Sequence, residues 1–343
     1  MLQNLFGSLA PEFAFDIGTN NTTLYLKGRG IVASEPSFVA VQGSANDRQV
    51  TAIGQKAKDL RGRTSRSIVS LSPLQGGAIQ DFELATNLLK HFVAMVPRHR
   101  RFMKSRAVVS VPSGSTAVER RAISEATEVA CAGDTYLVDK TMAAALGAGL
   151  DVFAPRGSMI VNIGGGTTNV GVIALGEVLF SQSIKTAGNE IDRCSSDYLR
   201  RTRHVTIGAE TAEQIKLQIG AARTVERVQT LTIQGQDMKT ALPISIEITQ
   251  EEVVKALTPA LNEIIQCIRL VLDRVPPEVS GDVLENGLVL TGGGALLREV
   301  DVQLSEKIVL PVSMVEDPLT TVVRGSGMIL EEWGKYSRLL SKG

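Results

Sequence analysis

The chain has 343 residues, 43% of them apolar and only 12 of them proline, which is material for one or two buried cores rather than for a disordered or fibrous protein. Lysine plus arginine and aspartate plus glutamate balance at 36 each, so no overall positive field exists to hold a nucleic-acid backbone by counterion release. The cysteines Cys131, Cys194 and Cys267 form no CxxC pair and the histidines His91, His99 and His204 are scattered, which excludes a zinc-site pattern and reads as reduced thiols in a cytoplasmic protein.

Residues 1–9 place Leu2, Leu5, Phe6 and Leu9 at helical spacing, as in a short interfacial helix. They show neither a basic n-region nor a small-residue cleavage site, so no secretory leader is expected, and no apolar run reaches the roughly 18 residues of a membrane span. Residues 13–26 alternate as a strand, a polar glycine-containing turn and a second strand. Residues 33–73 have weak strand character and predict a small insertion. Residues 98–106 frame Phe102 and Met103 with Arg98, Arg100, Arg101, Lys104 and Arg106, a patch suited to an anionic membrane surface at about 1 kcal/mol per basic residue; the alternative is a solvated loop with Phe102 in the core. The spacing predicts helices over residues 115–132 and 250–275, with short strands over 220–245 between them.

Residues 158–173 repeat the strand, turn and strand design of residues 13–26, with Asn162 in the place of Asp16. A third glycine-rich turn, Thr291-Gly-Gly-Gly-Ala295, follows an apolar strand. Such turns receive phosphate because glycine lets backbone N–H groups approach the oxygens while neighbouring Thr and Asn side chains donate further. One is weak evidence; three, two of them related by internal duplication, point to a nucleotide.

Here a resemblance can be named. Asp16-Ile-Gly-Thr-Asn-Asn-Thr22, Gly164-Gly-Gly-Thr-Thr168 and Thr291-Gly-Gly-Gly-Ala295 resemble, in order, the two phosphate motifs and the adenosine motif of the actin/Hsp70/sugar-kinase superfamily. Gly30-Ile-Val-Ala-Ser-Glu-Pro-Ser37, Val111-Pro-Ser-Gly-Ser-Thr-Ala-Val-Glu-Arg-Arg-Ala-Ile123, Met142-Ala-Ala-Ala-Leu-Gly-Ala-Gly-Leu150, Ala212-Glu-Gln-Ile-Lys216 and Glu316-Asp-Pro-Leu319 resemble the MreB-like bacterial actins, over residues 10 to 330. The resemblance implies an α/β, actin-like ATPase fold: two ribonuclease-H-like halves around a nucleotide cleft, each with a small inserted subdomain. Its subdomains would be IA (10–32, 74–145 and 315–343), IB (33–73), IIA (146–182 and 250–314) and IIB (183–249). It makes Gly18, Thr19 and Asn21 the first phosphate loop, with Asp16 on the water shell of a magnesium ion. Gly164, Gly165, Gly166, Thr167 and Thr168 become the second loop, Glu213 and Lys216 line adenine and ribose, and Gly292, Gly293 and Gly294 lie against the nucleoside. Without the resemblance, Glu213 and Lys216 would read as a solvated i,i+3 ion pair.

The chain departs from the family pattern where hydrolysis needs carboxylates. Asn162 stands for the family's Asp, Lys140 for the presumed water-orienting Glu, and Asn169 for the Glu after Thr-Thr, while Thr167 is retained. The formal charge around the phosphates therefore rises by roughly four units. A protonated amine has no lone pair with which to take a proton from water, so general-base help from Lys140 is not expected; as a point charge it would bind phosphate and partly replace magnesium. The other reading turns Lys140 to solvent and gives the Glu role to Asp139.

The resemblance thus implies an ATP- and ADP-binding cytoskeletal protein with Mg2+ as cofactor, slow or lost hydrolysis and head-to-tail self-assembly. Expected partners are its own copies, the inner face of the cell membrane through Leu2, Leu5, Phe6, Phe102 and Met103, and another actin homologue, with no nucleic acid. Competing readings are a small-molecule kinase of the same fold, an Hsp70-like chaperone, and a non-polymerising or co-polymerising regulator of another actin homologue.

Overall fold

The computed structural model describes residues 10–44, 47–62, 68–96, 105–224 and 229–342. Leu2, Leu5, Phe6, Phe102 and Met103 lie outside the described residues. The chain divides into two compact units, one of Met1–Pro155, Ile173–Val178 and Thr320–Gly343, the other of Arg156–Val172 and Leu179–Leu319.

The first unit is built on a six-stranded sheet in the order Ser341–Lys342, Gly133–Asp139, Ser105–Val111, Glu12–Ile17, Asn21–Leu26, Gly30–Pro36. Glu12–Ile17 and Asn21–Leu26 form the expected hairpin, with Asp16 opposite Thr23, and Glu12–Ile17 runs parallel to Ser105–Val111 on its other side. Phe13, Ala14 and Phe15 are all buried, so neighbouring residues on opposite faces are covered, as in a central strand. Helix Ala117–Cys131 starts two residues after the predicted 115. Thr116 Oγ1 accepts the Glu119 N–H (3.2 Å) while Glu119 accepts the Thr116 N–H (2.8 Å), a reciprocal cap. It ends on Ala132 in the left-handed region (φ 53°).

Strand Gly133–Asp139 runs straight into helix Lys140–Gly147, with Asp139 as N-cap accepting the Thr141 N–H at 2.7 Å. That helix meets helix Thr321–Glu331 backbone to backbone. A methyl on Gly325 would collide with the Ala143 carbonyl, and one on Gly147 with that of Thr321. Beyond, Trp333 stands edge-on to Tyr136 (5.0 Å) with the Arg106 guanidinium 4.0 Å from its ring. Arg106, the last basic residue of the predicted membrane patch, also pairs with Glu12 at 3.4 Å.

The predicted insertion is a three-stranded antiparallel sheet in the order Asp47–Ile53, Val39–Ser44, Ile68–Leu71, with a small core of Phe38, Ala40 and Ala57. Residues 33–36 belong to the large sheet instead, because Gly30–Pro36 continues the ladder from Asn21–Leu26.

The second unit repeats the plan in the order Glu177–Ile184, Thr168–Ala174, Ser158–Ile163, Leu288–Thr291, Val312–Met314. Ser158–Ile163 neighbours Thr168–Ala174 on one side and runs parallel to Leu288–Thr291 on the other. Helix Gln250–Leu272 opens on a Thr249/Glu252 capping box and buries one apolar face through Val253, Leu257, Ile264 and Ile268. The predicted short strands are Thr230–Asp237 and Pro243–Thr249, paired antiparallel; residues 220–224 are not strand. The three cysteines are free thiols, and burial pushes Cys267 up to about 11.

Candidate functional site

In the first unit, the turn after Glu12–Ile17 is closed by the Gly18 N–H to the Asn21 carbonyl at 3.0 Å, and a side chain on Gly18 would lie 2.6 Å from that oxygen. The turn's carbonyls are fastened from behind. Ser37 Oγ donates to the Gly18 carbonyl at 2.7 Å and Ser72 Oγ to the Thr19 carbonyl at 2.9 Å. A trans peptide sets its N–H opposite its C=O, so the N–H groups of Thr19 and Asn20 are turned away from those serines.

Beside this turn, Lys140 Nζ lies 2.8 Å from Asp16 Oδ1, with the lysine side chain 8% and the aspartate 21% exposed. Ser110 Oγ donates to the same oxygen at 2.9 Å. The reading that turned Lys140 to solvent is therefore overturned. Asp139 serves as the helix cap, its Oδ1 accepting from the Thr141 N–H and from Ser113 Oγ (2.8 Å).

In the second unit, the Gly188 N–H bonds the Gly164 carbonyl (3.0 Å) and the Asn189 N–H the Gly165 carbonyl (2.8 Å), docking the loop on the N-terminus of helix Gly188–Thr202. By the same peptide geometry, the N–H groups of Gly165 and Gly166 point away from that helix, consecutively, as in an anion-binding nest. Thr167 Oγ1 accepts from Asn169 Nδ2 at 3.2 Å, and the buried Asn169 Oδ1 has no hydrogen-bond partner among the described residues. Thr168 Oγ1 donates to the Thr186 carbonyl at 2.6 Å, holding the loop's far end.

Asn162 is buried at the end of its strand, opposite Thr291 in the parallel register. Gly292 adopts φ 88°, its N–H bonds the Pro318 carbonyl at 3.0 Å, and a side chain there would lie 2.5 Å from Asn162 Oδ1. Gly294 likewise leaves no room for a methyl beside Ile163, whereas Gly293 sits in the same short helical turn with Leu319 nearby. Glu213 and Lys216 share helix Ala209–Ile219. Lys216 reaches Asp192 at 2.9 Å and the Gly188 carbonyl at 3.3 Å, a largely buried pair rather than the solvated one.

These turns fit a polyphosphate: short glycine loops with carbonyls tied back and N–H groups directed outward. They do not fit a divalent cation in the manner expected at Asp16. Magnesium at a nucleotide site is held in an octahedron by waters, the phosphates of the nucleotide and one or two carboxylates that are free to face it. In the first unit the carboxylate Asp16 is paired with the Lys140 ammonium, and in the second unit Asn162 and Asn169 are amides. Among the described residues no cluster of three or more His, Cys, Asp or Glu is placed to hold a metal.

Sequence reasoning missed Ser37, Ser72, Ser110 and Asp192. Ser37 lies within one of the motif runs, but the pairing of distant segments that aims these hydroxyls leaves no local pattern.

A family model described as MreB/Mbl protein matches residues 10–338. The chain is 41% identical over 335 residues to the cell shape-determining protein MreB of Escherichia coli (strain K12), spanning 96% of each. MreB5 of Spiroplasma citri bound to AMPPNP matches with a TM-score of 0.89 and 33% identity over 96% of this chain and 98% of that one, and its ADP-bound form matches equally. The MamK double helical filament shares the fold, with a TM-score of 0.77 at 22% identity over 94% of this chain and 99% of that one. The chain has an actin-like fold and belongs to the MreB/Mbl family.

Proposed function

We propose that this chain binds ATP and ADP, polymerises head to tail into cytoskeletal filaments that serve cell shape, and hydrolyses ATP slowly or not at all. Nucleotide binding is supported by the two fastened loops at Gly18 and Gly164 and by the AMPPNP and ADP held by the Spiroplasma citri relative. In this reading Glu213, Lys216 and the turn at Gly292, Gly293 and Gly294 receive the nucleoside, and Thr167 orients water.

Weak hydrolysis rests on one observation, the Lys140–Asp16 ion pair. An attacking water needs a group to orient it and take its proton. Lys140 is a donor without an acceptor, Asn162 and Asn169 are amides, and Asp16 is engaged twice on one oxygen. Phosphate release from purified filaments in ATP, measured beside E. coli MreB, is expected to be slower by at least about tenfold, the loss typical of a missing acid–base group. Equal rates would refute that part. Electron microscopy with ATP and with AMPPNP is expected to show filaments in both. If the chain forms filaments only with another actin homologue, the regulator reading takes precedence.

Peripheral attachment to the inner face of the cell membrane, through Leu2, Leu5, Phe6, Phe102 and Met103, is part of the same proposal. Among the described residues no helix is long and apolar enough to cross a membrane. The magnesium expected at Asp16 is not carried forward, because that carboxylate already serves Lys140.

A further inference from the structure

We propose that Lys140 supplies, as a side-chain ammonium, the positive charge that this chain sets against a bound nucleoside polyphosphate, so that nucleotide binds without a divalent metal. This rests on the nucleotide-binding reading above and goes beyond it by naming the counter-charge.

The ammonium is fixed in place. Lys140 is the first residue of helix Lys140–Gly147, whose cap Asp139 is locked by Thr141 and Ser113 and whose backbone abuts helix Thr321–Glu331. The side chain is 8% exposed, so its ammonium is held against Asp16 rather than extended into water. It sits against Asp16, two residues before the Gly18 turn, whose Gly18 carbonyl is tied to Ser37 so that the Thr19 N–H faces away from that serine.

Its chemistry suits the task. An ammonium has three N–H donors; Asp16 takes one and leaves capacity for phosphate oxygens. Beside the Gly18 turn, Asp16 and Lys140 sum to no formal charge. The site thus lacks the excess of carboxylates that would repel a metal-free polyphosphate. A divalent ion drawn to Asp16 would meet the ammonium already on its Oδ1, and displacing the lysine would strand a buried cation.

The test uses the full-length chain and radiolabelled ATP in equilibrium dialysis, once with excess Mg2+ and once with EDTA. The dissociation constants are expected to agree within about threefold, less than the tenfold that one charged hydrogen bond is worth. Lys140→Gln is expected to weaken binding in EDTA by about tenfold or more, Lys140→Arg to retain it, and Lys140→Glu to bind only with Mg2+. Thermal melts of each variant exclude misfolding, and the wild-type comparison stands whether or not a variant folds. ATP held with Mg2+ but lost in EDTA overturns the inference and leaves nucleotide binding intact. Undiminished EDTA binding by folded Lys140→Gln overturns the role of Lys140. No ATP held in either buffer removes the nucleotide reading itself, and this inference with it.

Discussion

Taking an ammonium out of water costs several kcal/mol, so a lysine as buried as Lys140 needs a counter-charge facing it. Asp16 provides that at 2.8 Å, with Ser110 on the same oxygen. Asp16→Asn would keep the size and remove the charge. It is expected to lower stability by about 3 kcal/mol in urea titrations at neutral pH, the lower end of the range for breaking a buried pair, since the aspartate is partly solvated. An unchanged midpoint would show that the pair holds nothing together. The lysine at 140, where the resemblance implies a carboxylate, is readable from the motif register. Its direction is not. Whether a lysine at a helix start faces solvent or its neighbour depends on which strand lies alongside, and that follows from the parallel pairing of Gly133–Asp139 with Ser105–Val111. Ser37 and Ser72 escaped for a related reason: a hydroxyl acts over 3 Å, whereas its partner carbonyl lies 19 or 53 positions away in sequence.

At the scale of elements, periodicity and capping were informative. The helices predicted over 115–132 and 250–275 appear as Ala117–Cys131, which starts after the Thr116 cap, and Gln250–Leu272, which starts as predicted after the Thr249 cap and ends at the C-cap Asp273. The repeated strand, turn and strand appears in both large sheets, each beside a parallel strand from later in the chain. The join between Gly30–Pro36 and the small sheet was not visible, because a strand leaving one sheet for another shows no break in its alternation. The contact between helices Lys140–Gly147 and Thr321–Glu331 joins segments 180 residues apart and sets where Lys140 sits. Two opposing effects bear on Gly325→Ala. Alanine gains about 1 kcal/mol of helix propensity. The new methyl, however, would overlap a backbone carbonyl that cannot rotate away, and overpacking of this kind costs about 1–3 kcal/mol or more. The collision wins, so the variant is expected to melt below wild type by several degrees in calorimetry; a higher melting temperature would mean the helices separate freely.

The molecule as a whole declares its family through motifs spread along nearly its full length, and the match over residues 10–338 agrees with that spread. Its relation to a membrane belongs to this scale, because a filament multiplies weak contacts by the number of subunits it presents. Co-sedimentation of assembled protein with anionic liposomes is expected to fall severalfold in the double variant Phe102→Ser/Met103→Ser and with rising salt, as an electrostatic patch with an apolar tip requires. Undiminished co-sedimentation of that variant would assign Phe102 to the core. Finally, Trp333 is the sole tryptophan of the chain. It rests on Tyr136 and Arg106, and the strand that carries Tyr136 ends at Asp139, immediately before Lys140. The protein therefore contains its own fluorophore, wired by three residues of strand to the ammonium, and a ligand that moves that strand would report itself in the emission spectrum without any label.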